Sequence, residues 1–341
     1  MTRRALAAVA VGATLVASAL GAPSGAAEPD GADPISEARA SAQRFLDEYV
    51  TDEGRVARRD QGDDTVSEGQ AYALLLAAAL GDHEHFAPVW EWTSVNLQRP
   101  DGLLAWHWSE GRVVDSEPAA DADLDTARAL LLAADRFGDA DYRTEGVRIG
   151  NAVLTLETVG TDDGPVLVAG PWARRPPVTL NPSYVAPRSY TALDDAAGDP
   201  RWASLHQTGL DQLRILTLGG LPPDWAYLEA TGVRAAPDDD GRIGFGLDAA
   251  RVPIRLAEDC DPAVRAVAAK LWPHLRARDA RHPVEIVAGA AAADAAGERT
   301  HRDALLDAAE RRDAAQPSYY GAAWVALGRV LLSTELAGTC D

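Results

Sequence analysis

Three acidic positions stand where apolar helices are expected to begin. They are Glu68 in Ser67-Glu68-Gly69-Gln70-Ala71-Tyr72, Asp121 in Ala119-Ala120-Asp121-Ala122-Asp123-Leu124-Asp125, and Asp248 in Gly246-Leu247-Asp248-Ala249-Ala250-Arg251. Separated carboxylates on a rigid scaffold suit glycoside hydrolysis, where one acid protonates the leaving oxygen and another carboxylate activates water. Each position also has a plainer reading. Thr65-x-x-Glu68 is a capping box whose glutamate would satisfy backbone donors, and Asp121 could be an N-cap with Asp123 and Asp125 favouring the helix dipole. Asp121 and Asp125, four apart, share a helix face, whereas Asp123 points elsewhere. Asp248 and Arg251 could form a surface ion pair contributing about 0–1 kcal/mol, or Arg251 could keep Asp248 ionised, as a base must be. A helix N-terminus favours the anion, so a Glu68 that donates a proton needs desolvation or a neighbouring carboxylate.

Aromatic residues cluster near these acids. Trp106 and Trp108 precede Asp121, Tyr184 opens an expected helix, and Tyr319-Tyr320 opens the last one. Such rings either pack in the core or offer a face to the C–H side of a sugar.

The elements that must position these residues are helical almost throughout. Apolar runs broken by Gly, Pro and Asp predict helices over 36–50, 67–80, 83–98, 121–137, 140–157, 182–197, 200–217, 247–258, 261–277, 283–296, 300–314 and 318–336. Wholly apolar helices alternate with amphipathic ones, and connections are short. The pattern suggests an all-α fold, an (α/α)6 barrel of about twelve alternating inner and outer helices, with an irregular helical array as the rival. Longer connections fall at 99–120, 159–181 and 219–245, with β-like pieces at Arg112-Val113-Val114 and Val166-Leu167-Val168. They are candidate walls of a binding cleft.

Arg3 and Arg4, the uncharged run Ala5 to Leu20, and small residues before Glu28 read as an export signal over 1–27. That run is short and Ala-rich for a membrane span. Residues 28–341 are then expected to be a single secreted domain, without membrane attachment after signal cleavage and monomeric. The net charge of −20 argues against nucleic acid and anionic membranes as partners. Two cysteines, Cys260 and Cys340, in an exported chain suggest one disulfide. The cysteine spacing fits no zinc site, and the seven histidines form no H-x-x-x-H pair, so no metal is expected.

Taken together, these segments resemble glycoside hydrolase family 8, in order from about Ser36 to Leu336. Ser67-Glu68-Gly69-Gln70-Ala71-Tyr72 is similar to the family's S-E-G-x-x-Y, and particularly to cellulases that accompany bacterial cellulose synthesis. Leu104-Ala105-Trp106 is similar to a loop bearing a sugar-stacking tryptophan. Ala119 to Ala133 resembles the signature A-[ST]-D-[AG]-D-x-x-[IM]-A, and Asp248-Ala249-Ala250-Arg251 looks like Y-D-A-x-R. Asn181-Pro182-Ser183-Tyr184, Leu221-Pro222-Pro223-Asp224-Trp225 and Ser318-Tyr319-Tyr320 also resemble family segments. The resemblance implies an inverting, cofactor-free endo-β-1,4-glucanase acting on cellulose or another β-linked polysaccharide. It implies Glu68 as general acid and Asp248 as general base. Asp121, Trp106, Tyr184, Arg251 and Tyr320 would bind the sugar, with Asp121 helping to keep Glu68 protonated. Three departures stand out: Ala120 for Ser/Thr, Thr126 for Ile/Met, and Leu247 for the tyrosine before the base. They leave open a polysaccharide-binding protein with impaired catalysis, or a chitosanase or xylanase.

Overall fold

Twelve α-helices run through the residues described by the computed structural model, which are 33–238, 240–333 and 335–336. They are α1 (Pro34–Tyr49), α2 (Ser67–Leu80), α3 (His83–Asn96), α4 (Ala120–Phe137), α5 (Ala140–Leu156) and α6 (Pro187–Ala197). They continue with α7 (Arg201–Leu216), α8 (Arg251–Ala257), α9 (Pro262–Arg276), α10 (Pro283–Ala295), α11 (Arg299–Ala315) and α12 (Tyr319–Leu331). The segment 1–27 and Cys340 lie outside the described residues.

Composition decides which helices lie inside. In α2, Ala71 to Ala79 are buried without interruption, and in α10 the same holds for Ile286 to Ala293. A helix apolar all round has no face to give to water. By contrast α11 carries charge along most of its length and buries only Leu306 and Ala309. The even-numbered helices touch in succession, α2 to α4, α6, α8, α10 and α12, and α12 returns to α2. That closed ring, with the odd-numbered helices packed outside it, is the (α/α)6 barrel expected from the sequence.

Short reversals keep the inner helices parallel. Gly81, Gly138 and Gly198 end α2, α4 and α6 in the left-handed conformation, where a Cβ would be strained. Asp82 and Asp139 then cap α3 and α5 by accepting backbone N–H bonds. All six inner N-termini therefore open at one mouth of the barrel. Four of them, those of α2, α4, α6 and α8, lack a side-chain cap. Helix N-termini favour negative charge, which suits the acids placed at that mouth.

Small antiparallel sheets wall the mouth. β1 (Thr65–Val66), β2 (His107–Ser109) and β3 (Arg112–Asp115) form one, and β4 (Thr158–Thr161) pairs with β5 (Gly164–Leu167). β6 (Val178–Leu180), β7 (Trp225–Glu229) and β8 (Gly232–Ala236) form a third. The β-like pieces at 112–114 and 166–168 fall in or beside β3 and β5. The third sheet lies partly in a stretch expected to be loop, because β6 pairs with a partner about fifty residues away that local pattern cannot reveal.

Two helix starts differ from expectation. The predicted helix over 182–197 splits into a 3-10 turn at Pro182–Tyr184 and α6 from Pro187. Two prolines are the reason, each suited to a helix start and poor inside one. Asp248 lies in a turn, and α8 begins only at Arg251.

Candidate active site

Neither plain reading of the first two acids holds. Thr65 does not cap α2; its hydroxyl donates to the Val56 carbonyl, and the helix starts after Val66 with no side-chain cap. Glu68 is free to point across the barrel mouth. Asp121 is likewise no N-cap: α4 starts after Ala119 without one. The third plain reading fails as well, because Arg251 is buried at 1% exposure instead of lying on the surface.

Arg251 gathers all three acids. Its Nη1 lies 2.8 Å from Glu68 Oε1 and 2.7 Å from Asp121 Oδ2, and its Nη2 lies 2.8 Å from Asp248 Oδ1. Asn181 Nδ2 donates to the other Asp248 oxygen at 3.1 Å. Tyr72, one turn beyond Glu68, donates its hydroxyl to Glu68 Oε1 at 3.2 Å. The Arg251 guanidinium sits 5.3 Å over the Tyr184 ring. Tyr320 donates its hydroxyl to the Leu247 carbonyl at 3.3 Å, so it steadies the turn before Asp248.

Glu68 and Asp121 lie close enough to hydrogen-bond each other, and one cation cannot fully balance both. Burial, then the Glu68 charge, pushes the Asp121 carboxyl well above the ordinary carboxylate range. Burial also acts to raise Glu68, but its side chain keeps 29% exposure. The Arg251 charge and bonds from Asp121 and Tyr72 outweigh that burial and hold Glu68 low. Of the two, Asp121 is the carboxyl pushed toward its protonated form. Asp121 is the more deeply buried acid, and burial favours the neutral form.

The aromatics divide. Trp106 is half-buried beside Glu68, its carbonyl accepting from Ser67 N at 2.9 Å, and its ring lies against His107. Trp108 instead packs on Trp92 and Arg55, and Tyr319 is buried among Phe45 and Tyr49. Trp172 was not singled out from the sequence. It is 48% exposed next to Gly170 and Pro118, close to the start of α4. A tryptophan left that open beside an acid cluster is suited to a sugar ring, but a lone Trp in a loop carries no such signal in sequence. Tyr72, Asn181 and Asp224 stood in the sequence only as members of matching segments.

Below the mouth the same two helices continue the pairing. Asp125 bonds Arg255 one turn below Asp121 and Arg251, and Arg128 meets Glu258 at 2.7 Å one turn further. These rungs join α4 to α8, which are not neighbours in the ring, so charge fills part of the barrel interior. Asp123 points the other way, accepting from Leu104 N at 2.8 Å, as the spacing predicted. Among the described residues no group of His, Cys, Asp and Glu is arranged to hold a metal ion.

A model of glycosyl hydrolases family 8 matches residues 31–323. A probable endoglucanase of Novacetimonas hansenii is 34% identical over 276 residues, covering 76% of this chain and 79% of that protein. An endoglucanase of Xanthomonas axonopodis pv. citri (strain 306) is 32% identical over 268 residues, covering 74% of this chain and 67% of its own. The structure of endo-beta-1,4-glucanase CMCax from Acetobacter xylinum superposes with a TM-score of 0.73 at 30% identity, covering 89% of this chain and 99% of that one. The barrel and the family match agree, and the chain belongs to glycosyl hydrolases family 8 and is a glycoside hydrolase.

Proposed function

We propose that the protein is an exported, monomeric endo-β-1,4-glucanase that cuts with inversion, Glu68 acting as general acid and Asp248 as general base. The observation that carries this reading is the single guanidinium of Arg251 bonded to Glu68, Asp121 and Asp248. Bonds from two nitrogens of one guanidinium keep the Glu68 and Asp248 oxygens within about 8 Å of each other. The lower part of the roughly 6.5–9.5 Å separation that leaves room for a water between acid and base lies under that ceiling. Endoglucanase names among the relatives support a β-1,4-glucan as substrate.

The chemistry then runs as follows. A sugar hydroxyl donating to Asp121 favours its ionised form and sends the shared proton to Glu68. Glu68 passes it to the glycosidic oxygen as the bond to the anomeric carbon breaks. Asp248, held by Arg251 and Asn181, takes a proton from the water that attacks the opposite face. Afterwards the Glu68–Asp121 pair has lost its proton and Asp248 has gained one from water; loss of the Asp248 proton to solvent and return of one to the pair restore the starting state. Leu247 in place of a tyrosine does not favour a catalytically dead protein, since Asp248 keeps both side-chain partners.

Reducing-sugar release from carboxymethylcellulose, mixed-linkage glucan, xylan and chitosan tests the reading. Release from the glucans is expected, with Glu68→Gln and Asp248→Asn each reducing it about 10²–10⁴-fold. Full activity in either variant would remove that residue's role. Binding without release on every polymer would favour a binding protein, and release from xylan or chitosan alone would reassign the substrate.

A further inference from the structure

Asp248 projects from a turn, so something other than a helix has to fix its direction. The chain leading to it is exposed from Asp240 to Gly244 and has glycines at 241, 244 and 246. Such a segment has much freedom to lose. One carboxylate closes on it. Asp224 Oδ1 accepts from Gly246 N at 3.0 Å and from Ala249 N at 2.7 Å, the residues two before and one after Asp248. Asp224 N also donates to the Gly244 carbonyl at 2.8 Å. A Cβ at position 246 would lie 2.2 Å from Asp224 Oδ2, so only glycine lets the carboxylate seat against the turn. The far side is held by Tyr320 on the Leu247 carbonyl and by Arg251 N donating to Asp248 O at 2.9 Å.

We propose that Asp224 is a positioning residue: it orients the Asp248 carboxylate by clamping the turn Gly246–Ala249, without itself touching substrate. The inference rests on Asp248 being the general base. Clamp and base then form a series: Asp224 sets the backbone, the backbone sets the direction of Asp248, and Arg251 and Asn181 select its rotamer. A base displaced by about 1 Å loses roughly 10²-fold in rate while the sugar contacts elsewhere in the cleft remain.

The test compares Asp224→Ala, Asp224→Asn and Asp248→Asn in the full chain, assayed on carboxymethylcellulose with thermal midpoints recorded. Asp224→Ala is expected to lose about 10² in kcat with KM within about twofold. Asp224→Asn, which keeps an Oδ1 acceptor for both N–H groups, is expected to recover to within about tenfold of the parent. Should Asp224→Ala fail to fold, Gly246→Ala is the second probe: its methyl pushes the turn off Asp224 and gives the same kcat loss. In the Asp248→Asn background neither change is expected to reduce activity further. Wild-type kcat in Asp224→Ala beside a dead Asp248→Asn would overturn the clamp and leave the base standing. A fully active Asp248→Asn would overturn the base assignment itself. A KM rise equal to the kcat loss, or no rescue by Asn, would also overturn the clamp.

Discussion

Arg251 makes Glu68 and Asp121 unequal, and that inequality has a readable consequence. Burial pushes Asp121 toward its protonated form, while the Arg251 charge and hydrogen bonds hold the more open Glu68 toward its ionised form. On the proposed mechanism Asp121 would serve as a proton reservoir for Glu68. Asp121→Asn keeps the size and a neutral charge but removes that reservoir. Glu68 must then be protonated from solvent against the pull of Arg251. The alkaline limb of the kcat/KM profile is expected to move to lower pH, with activity reduced at least tenfold near neutrality. An unchanged limb in a pH–rate series would show that Asp121 does not supply the proton.

At the scale of elements, α4 presents acids to two sides, and the side away from the barrel interior has its own titration. Asp123 and Glu157, the residue just after α5, are both fully buried, and both carboxyls are pushed well above the usual range. Asp123 Oδ2 and both Glu157 oxygens have no other hydrogen-bond donor among the described residues. Burial, then the Asp123 charge, pushes Glu157 well above its usual range. A carboxyl raised in the folded state adds stability that is full below its unfolded value near 4.5 and is lost as pH rises through the folded value. Glu157→Gln keeps a donor for Asp123 and removes the titration. The drop in melting temperature between pH 5 and pH 8 is therefore expected to shrink, at about 2–4 °C per kcal/mol recovered. Calorimetry at the two pH values checks this, and an undiminished drop would contradict the raised Glu157 carboxyl. Because Asp123 holds Leu104, two residues before Trp106, the same pair also anchors the loop that brings Trp106 to the mouth.

On the scale of the whole molecule, the barrel is closed by apolar packing around its ring but carries ion pairs inside it. Arg255 is 1% exposed, bonded to Asp125, near Glu258, and 5.5 Å over the Trp324 ring. Removing one member of a buried set strands the others away from water. Arg255→Ala is expected to cost about 3–5 kcal/mol of unfolding free energy. Urea titration measures it, and a loss under about 1 kcal/mol would mean that water or rearrangement satisfies Asp125 and Glu258. The rung also stands directly below Arg251, so its loss is expected to reduce activity in whatever fraction remains folded.

All twelve helices were legible, because a wholly apolar run such as Ala71 to Ala79 can only be an inner helix and a charged one such as α11 only an outer helix. The three acid-bearing segments were legible for a similar local reason: the residues that carry them are contiguous. The third sheet, Trp172 as an open face, and the clamp of Asp224 on the turn of Asp248 were not, since each depends on chain segments that meet only after folding. The chain by itself therefore determined the barrel, the family and the three acid-bearing segments. Only the tertiary structure decided that Glu68 is no helix cap, that one buried arginine links all three acids, and which of Glu68 and Asp121 is the more deeply buried. Those outcomes are set by distance and burial, which a linear sequence does not contain.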